Sequence, residues 1–244
     1  MFHLDYDIVG KDGGNFKPQY DEPKRSLFLK HLRHELDVRG LSRVFAPHCE
    51  FTTNVARLGD GNEENGLSWF VRTTTGFDGG IVTEPGTAIA IFNADCPVVI
   101  LFDKESGRLA LLHAGFRCLV PKDQNEPNII DTALNNPLLD TSKLEAFIGF
   151  GAGPCCYGIN HIDESEKEKL KPFTYRATKG PRTGQTSLNL VALAQQQLVN
   201  HGIEEGLISQ VCTACSNYKG ICYHSNIYEG ELAGRNLVLA WFTR

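Results

Sequence analysis

Three short apolar segments near the middle of the chain limit the folds that are open to it. They are rich in Val, Ile and Leu, and short polar stretches separate them: Thr87–Phe92, Val98–Phe102 and Arg108–Leu112. Runs of five or six such residues are typical of strands that are covered on both faces. We therefore predict three buried, neighbouring strands in a sheet with helices packed around it.

The rest of the chain alternates between helical patterns and turns. An amphipathic helix is predicted within residues 21–40, where Pro23 lies in the first turn and Gly40 ends the pattern. The other predicted elements are an exposed loop at Gly59–Gly66, a loop at Pro121–Pro127, helices at Asn128–Asn136, from Asp163 and at Ser187–Asn200, a strand at Leu144–Phe150, and short strands with turns from Val211 to Trp241. No repeat or linker interrupts this pattern. We predict a single α+β domain over residues 1–244, with mixed β-sheets and flanking helices.

Charge and cysteine content restrict the compartment and the partners. The net charge is −5, so the sequence offers no basic surface for nucleic acid or anionic lipid. Residues 1–14 have no signal-peptide pattern, and no apolar run approaches the roughly 18 residues of a membrane span. We therefore expect a cytoplasmic protein in which the eight cysteines are reduced thiols.

Two of the predicted strands carry a cysteine and a histidine at positions where a hairpin would bring them together. Cys96 precedes the second strand, and His113 ends the third. They are interpreted in three ways: a thiolate nucleophile with its base, two zinc ligands, or a buried cysteine and a buried histidine without function. Asp95 could orient the imidazole, and Arg117 suits a phosphate or carboxylate. A zinc site needs a third ligand, for which His48 is the first candidate and His161 and His224 are alternatives.

Several ordered motifs resemble the YfiH-like family, also called the laccase-domain or polyphenol oxidoreductase family. NADCPV resembles its T-A-D-C-L-P-V, LLHAGFRC its H-A-G-W-R-G, and IGFGAGPCCYGI its I-G-P-x-I-G-P-C-C-Y-E-V. Further matches are SLNLVALAQQQLVNHGI, VCT and EGELAGRN. Together they cover about two thirds of the chain in the family's order, which is more specific than any single motif.

The resemblance implies a zinc-dependent enzyme of purine nucleoside metabolism. It would phosphorolyse adenosine, inosine and methylthioadenosine, with phosphate as co-substrate, and would also deaminate adenosine. The implied zinc ligands are Cys96, His113 and the histidine of a Q-V-H-G motif, which this chain lacks; the nearest match is APHC, with His48. Arg117 and Arg235 would meet the phosphate, and either Asp95 or a metal-bound water would assist the departing base.

Departures from the family leave other functions open. Asn93, Phe116 and Cys118 replace a threonine, a tryptophan and a glycine, and CYHSNIYEG lacks the arginines expected near the C-terminus. A metal-free hydrolase or deamidase with a Cys96–His113 dyad is one alternative, and a catalytically impaired zinc-binding protein is another. A multicopper phenol oxidase is disfavoured because such sites need many histidines.

Two further motifs are interpreted as structural. The pair Cys212 and Cys215 forms a lone CxxC, which favours packing over a structural zinc site. The glycines at 149, 151 and 153 predict a tight turn that brings Cys155, Cys156 and Tyr157 close to another segment, bordering the site.

Overall fold

The computed structural model describes most of the chain: residues 1–18, 23–59, 63–73, 75–123, 125–177, 182–204, 206–209, 211–216 and 223–244. For residues 63–66 it describes the backbone and not the side chains. The strands within these ranges are β1 (His3–Val9), β2 (Arg43–Ala46), β3 (Val55–Arg57), β4 (Glu63–Leu67), β5 (Phe70–Thr73), β6 (Gly79–Val82), β7 (Thr87–Asn93), β8 (Val98–Asp103), β9 (Arg108–His113), β10 (Leu144–Gly149), β11 (Thr174–Arg176), β12 (Thr186–Leu188), β13 (Leu207–Ile208) and β14 (Asn236–Thr243). The α-helices are α1 (Lys24–Asp37), α2 (Phe116–Leu119), α3 (Ile129–Leu134), α4 (Glu164–Leu170), α5 (Leu190–Asn200), α6 (Thr213–Ser216) and α7 (Asn226–Glu229).

In the described part of the chain, the strands form two six-stranded mixed sheets and one small hairpin. The first sheet has the order β1-β14-β7-β2-β5-β4, in which β2 runs parallel to both β7 and β5. The second has the order β13-β10-β8-β9-β6-β3, with parallel pairs at its two edges. The predicted α+β fold with mixed sheets and flanking helices is confirmed.

The two sheets pack face to face, and helices cover their outer faces. Alternation along β7 shows the arrangement: Ile89 and Ile91 join the core between the sheets, whereas Ala88 and Ala90 face α1. The outer face of the second sheet packs against α2, α3 and α5. Because both faces of the central strands are covered, these strands are apolar at nearly every position instead of alternating.

Capping side chains set the start of most predicted helices. Asn128 accepts hydrogen bonds from the N–H groups of Ile130 and Asp131, and Asp163 accepts one from Glu166, so α3 and α4 begin where the sequence predicted. The predicted first helix is confirmed over Lys24–Asp37; its predicted start at residues 21–22 lies outside the described residues.

Several predicted boundaries are wrong. The loop predicted at Gly59–Gly66, within or before a short strand system, gives way at Glu63 to the edge strand β4, which pairs with β5; residues 60–62 lie outside the described residues. The helix predicted at Ser187–Asn200 starts only after Asn189, because β12 takes the first residues and Asn189 caps α5. The segment Val211–Trp241, predicted as short strands and turns, includes two short helices and the beginning of the eight-residue strand β14.

The prediction of three neighbouring strands is wrong in one respect. β8 and β9 form the expected hairpin, in which Val98 lies opposite His113. β7 instead pairs with β14 and β2 in the other sheet. The chain therefore crosses from one sheet to the other within residues 94–97, which include Cys96.

Among the described residues, no helix has both the length and the apolar character that crossing a lipid bilayer requires.

Candidate functional site

A cavity of about 630 Å³ opens where the chain crosses between the two sheets. This volume lies within the range of small-molecule binding sites. Its lining combines aromatic rings, a thiol pair, two imidazoles and two guanidinium groups: Cys49, Phe51, Phe92, Asn93, Ala94, Asp95, Cys96, His113, Tyr157, Gly158, Asn160, His161, Arg182, Asn226, Ile227 and Arg235.

Asp95 turns the chain at the crossing. Its φ is +79°, an unfavourable value for a residue with a side chain. Its carboxylate is held on both oxygens, since the Thr213 hydroxyl donates to Oδ1 at 2.8 Å and the Ile227 N–H donates to Oδ2 at 2.7 Å. Burial raises the pKa of Asp95, and these hydrogen bonds offset that effect only in part. Asp95 therefore fixes the turn that presents Cys96, and its catalytic role stays a prediction.

The carboxylate that orients His113 belongs to Asp78, so the prediction that Asp95 could orient the imidazole is wrong. Nδ1 of His113 lies 2.6 Å from Oδ1 of Asp78, a fully buried residue that sequence reasoning missed. The other oxygen of Asp78 accepts hydrogen bonds from the N–H groups of Glu50, at 3.0 Å, and Thr52, at 2.7 Å. Because Asp78 holds Nδ1, Nε2 is the nitrogen of His113 that can act as a ligand or a base, and Cys96 also hydrogen-bonds to this imidazole. The available sequence clue was an aspartate placed directly before an apolar strand.

Charge interactions around this pair shift both of its pKa values. Burial lowers the pKa of His113, but the charge of Cys96 and the hydrogen bond to Asp78 outweigh it and raise that pKa well above its ordinary value. Burial raises the pKa of Asp78, but the hydrogen bond from His113 and those from the backbone lower it overall. Each shift favours the charged form of its group, the direction expected for a buried ion pair in a metal-free site.

Gly115 leaves room next to Cys96 and His113. A Cβ atom at this position would lie 3.1 Å from Cε1 of His113 and 3.3 Å from Sγ of Cys96. It would also lie 3.3 Å from the ring of Phe51, which packs against the imidazole with centroids 5.4 Å apart. The hairpin thus brings Cys96 and His113 to the same point, as predicted, and the missing side chain keeps that point open.

The predicted third ligand, His48, does not appear in the lining of this cavity among the described residues. Its Nε2 lies 3.9 Å from Oε1 of Glu50. The next residue, Cys49, does line the cavity, and its sulfur lies within 4.8 Å of ligand atoms of Asp78 and His113. Burial raises the pKa of the Cys49 thiol to about 12. His48 stays a prediction, and the structure adds Cys49 as a second candidate.

The predicted anion-binding arginines have different surroundings. Arg117 forms a two-pronged ion pair with Glu166, with Nη2 3.2 Å from Oε2, and it stacks on the ring of Phe116. Arg235 lines the cavity, as does Arg182, which sequence reasoning missed. Arg182 reaches the cavity past Gly158, where a Cβ would lie 2.3 Å from its guanidinium carbon. The clue was an arginine in a Gly-Pro-rich stretch with little apolar content.

The predicted glycine turn packs against the crossing. A Cβ on Gly151 would lie 2.5 Å from the backbone nitrogen of Pro97, so only glycine fits there. Tyr157 borders the cavity, as predicted, and its hydroxyl lies 3.3 Å from Nε2 of His161. Cys155 and Cys156 lie outside the cavity and meet Cys212 and Cys215, a contact that the sequence prediction of simple packing missed.

The residues at the cavity fit a zinc ion by the chemistry of their donor atoms. Cys96 offers a sulfur, and His113 offers an imidazole whose second nitrogen is held by a carboxylate, the usual arrangement around zinc-bound histidine. Gly115 leaves the space between them free of a side chain. A third donor would come from His48 or Cys49.

Comparisons with known proteins agree with this architecture. Residues 26–243 match the family described as multi-copper polyphenol oxidoreductase laccase. The chain belongs to this family. The match confirms the resemblance read from the sequence motifs. A multicopper centre needs many histidines, whereas the lining of this cavity includes only His113 and His161, so the donor set does not fit the copper chemistry in the family's description.

Curated relatives of this family member are distant. The chain is 27% identical over 169 residues to a purine nucleoside phosphorylase of Streptomyces coelicolor, an alignment that covers 68% of this chain and 66% of the relative. It is 26% identical over 156 residues to a purine nucleoside phosphorylase of Clostridium acetobutylicum, covering 64% of this chain and 62% of that relative. The chain thus spans slightly less than two thirds of the length of these relatives.

Solved structures share the fold over nearly the whole chain. The Bacillus licheniformis hypothetical protein YfiH superposes with a TM-score of 0.73 at 17% identity, covering 98% of this chain and 92% of that one. A Neisseria meningitidis protein assigned to DUF152 gives a TM-score of 0.71 at 17% identity, covering 99% and 95%. At this identity the likeness establishes the fold alone.

Proposed function

We propose that this protein is a zinc-dependent purine nucleoside phosphorylase that cleaves adenosine, inosine and methylthioadenosine with phosphate and also deaminates adenosine. The observation that carries the proposal is the Asp78–His113 pair beside Cys96, in a cavity that also contains Arg182 and Arg235. Membership of the family and the names of its curated relatives support the phosphorylase activity.

Cys96 and His113 would hold the zinc ion, with His48 or Cys49 as the third ligand. When bound, zinc would supply Lewis-acid activation of water or of the substrate. When Nε2 of His113 binds the ion, Asp78 would hold the remaining proton of the imidazole on Nδ1 and keep the ring in the orientation that ligation needs. Its role is to position His113, since it is too deeply buried to touch a substrate.

The other lining residues divide the cavity into an aromatic part and a cationic part. Phe51, Phe92 and Tyr157 offer ring surface for a purine base. Arg182 and Arg235 would bind the phosphate, because planar guanidinium groups match phosphate oxygens two at a time. Arg117 remains a third candidate, although its ion pair with Glu166 must open for it to reach an anion.

Asp95 is proposed to assist the departing base. Burial raises the pKa of Asp95 above the ordinary value of a carboxyl group, which is the direction of shift that a general acid requires. To do so, it must exchange its hydrogen bonds with Thr213 and Ile227 for one with the substrate.

The purified protein should be incubated with each nucleoside, with and without phosphate, and the products identified by chromatography. Phosphate-dependent adenine and hypoxanthine, together with phosphate-independent inosine from adenosine, are the expected products. His113→Ala should abolish them. His201→Ala is the matched control, because this histidine pairs with Asp131 and does not line the cavity. The proposal fails if none of the three products forms, or if His113→Ala retains full activity.

A second function is favoured by the same residues. An aspartate that orients a histidine next to a cysteine also suits a thiol hydrolase, in which His113 would activate Cys96. Chelation separates the two mechanisms: removing zinc should eliminate phosphorolysis but leave a cysteine hydrolase active. A product formed at the same rate before and after chelation, and lost after alkylation of Cys96, would favour the hydrolase.

A further inference from the structure

Four cysteines from two distant segments meet outside the cavity. Cys155 and Cys156 lie in the turn after β10, and Cys212 and Cys215 lie at α6. Cys155 Sγ lies 3.1 Å from Cys215 Sγ and 3.6 Å from Cys212 Sγ, and Cys156 Sγ lies 3.1 Å from Cys215 Sγ. All four sulfurs are within 4.8 Å of one another. We call this group the four-cysteine cluster.

We propose that the four-cysteine cluster binds one structural zinc ion, distinct from any ion at Cys96 and His113. Zinc–sulfur bonds of about 2.3 Å in a tetrahedron place neighbouring sulfurs ~3.8 Å apart. The Cys155–Cys212 separation of 3.6 Å is close to this value, and the two separations of 3.1 Å from Cys215 are somewhat shorter. All three separations are longer than the roughly 2.05 Å of a disulfide bond. They are also too short for an iron–sulfur cluster, in which several iron and sulfide atoms lie between the cysteine sulfurs. A mononuclear tetrathiolate site therefore fits the distances best.

Two backbone N–H groups donate hydrogen bonds to the sulfur of Cys212, an arrangement that also suits a metal-bound thiolate. The N–H of Gly153 donates to Cys212 Sγ at 3.1 Å, and the N–H of Cys215 donates to it at 3.4 Å. The cluster packs against the small side chains of Ala152 and Ala214, which leave space for four sulfurs. The protein fills all four coordination positions, so the ion would have no open position for a substrate. That arrangement is typical of structural zinc rather than catalytic zinc.

The position of the four-cysteine cluster indicates what a bound ion would stabilise. Thr213 lies between Cys212 and Cys215, and its hydroxyl donates to Oδ1 of Asp95 at 2.8 Å. Its N–H also donates to the carbonyl of Gly151 at 3.1 Å. A zinc ion in the cluster would fasten α6 to the turn after β10. It would thereby hold Thr213 against Asp95, the residue that fixes the crossing beside Cys96.

The first test measures metal content and does not depend on catalytic activity. The protein, purified under reducing conditions without chelator, should lose one zinc per chain when Cys212 and Cys215 are both replaced by serine. Ser216→Ala is the matched control, because it alters the same short helix and keeps all four thiols. Cobalt substitution should give the intense visible absorption of a tetrathiolate site in the wild type and in Cys96→Ala. Retained cobalt absorption in Cys96→Ala also separates this proposal from the proposed function, which places the other ion at Cys96.

The second test uses the wild-type chain, in case the double variant does not fold. Thiol alkylation followed by peptide mass spectrometry should find the four cysteines protected as isolated and reactive after chelation. The proposal is overturned if the four thiols react equally before and after chelation, or if they are joined in disulfides. It is equally overturned if a folded double-serine variant keeps the zinc content of the wild type.

Discussion

Replacing Asp78 with asparagine tests the central feature of the candidate site. The side chain keeps its shape, and an amide oxygen can still accept from the N–H groups of Glu50 and Thr52. The negative charge 2.6 Å from Nδ1 of His113 is lost, however, and the new NH2 group favours a proton on Nε2 instead. The imidazole would then present an N–H where the site needs a free nitrogen.

Both stability and metal binding should fall. In the metal-free protein, breaking a buried ion pair by removing one partner costs about 3–5 kcal/mol, and the hydrogen bonds that asparagine retains place this change near 3 kcal/mol. For a chain of this length, that corresponds to a melting temperature lower by about 6–12 °C. Loss of the carboxylate behind a metal-binding histidine should weaken zinc binding by about 10- to 100-fold.

Thermal unfolding followed by circular dichroism measures the first effect, and competition with a chromophoric chelator measures the second. Asp103→Asn is the matched control, because Asp103 is an equally buried aspartate that holds the turn between β8 and β9, away from the cavity. It should leave zinc affinity unchanged. An Asp78→Asn protein with wild-type melting temperature and wild-type zinc affinity would refute the orienting role of this carboxylate.

Two further predictions concern the space beside the ligands and the acid stability of the fold. Gly115→Ala should lower kcat/KM on the order of tenfold with little change in melting temperature, because its Cβ displaces His113 or Cys96 by a few tenths of an ångström; unchanged kinetics would contradict this. Burial alone would raise the pKa of Asp103, but hydrogen bonds from Ser106 lower it below its ordinary value. The ionised carboxylate therefore contributes to the free energy of unfolding above the unfolded-state pKa of about 3.9. This contribution is lost as the pH falls through the folded-state pKa. In denaturant titrations the stability difference between wild type and Asp103→Asn should therefore shrink below about pH 4, and a difference that grows in acid would contradict the assignment.

The sequence predicted which segments form strands and helices better than it predicted which strands pair with each other. The β8–β9 hairpin could be predicted because its turn is short and its partners are adjacent in the chain. Nothing local shows that β7 leaves for the other sheet, since continuous apolar strands look the same in either sheet. The crossing depends on the positive φ of Asp95 and on hydrogen bonds from distant residues such as Thr213.

The same limit applies to the site. Cys96 and His113 were predicted because a hairpin and a family motif both point to them. Asp78 and Arg182 were missed because their partners come from other segments of the chain. The four-cysteine cluster was missed because a zinc ribbon is recognised by two CxxC pairs, whereas the structure joins one such pair to two adjacent cysteines.

Because the chain crosses between the sheets at the cavity, side chains from both sheets form the cavity wall. His113 ends a strand of one sheet, whereas Arg235 directly precedes β14 of the other. The distance between these two side chains therefore depends on the thickness of the apolar core between the sheets, which includes Ile91 and Val238. Substitutions at those positions would change which ligands fit without altering a single residue of the cavity wall.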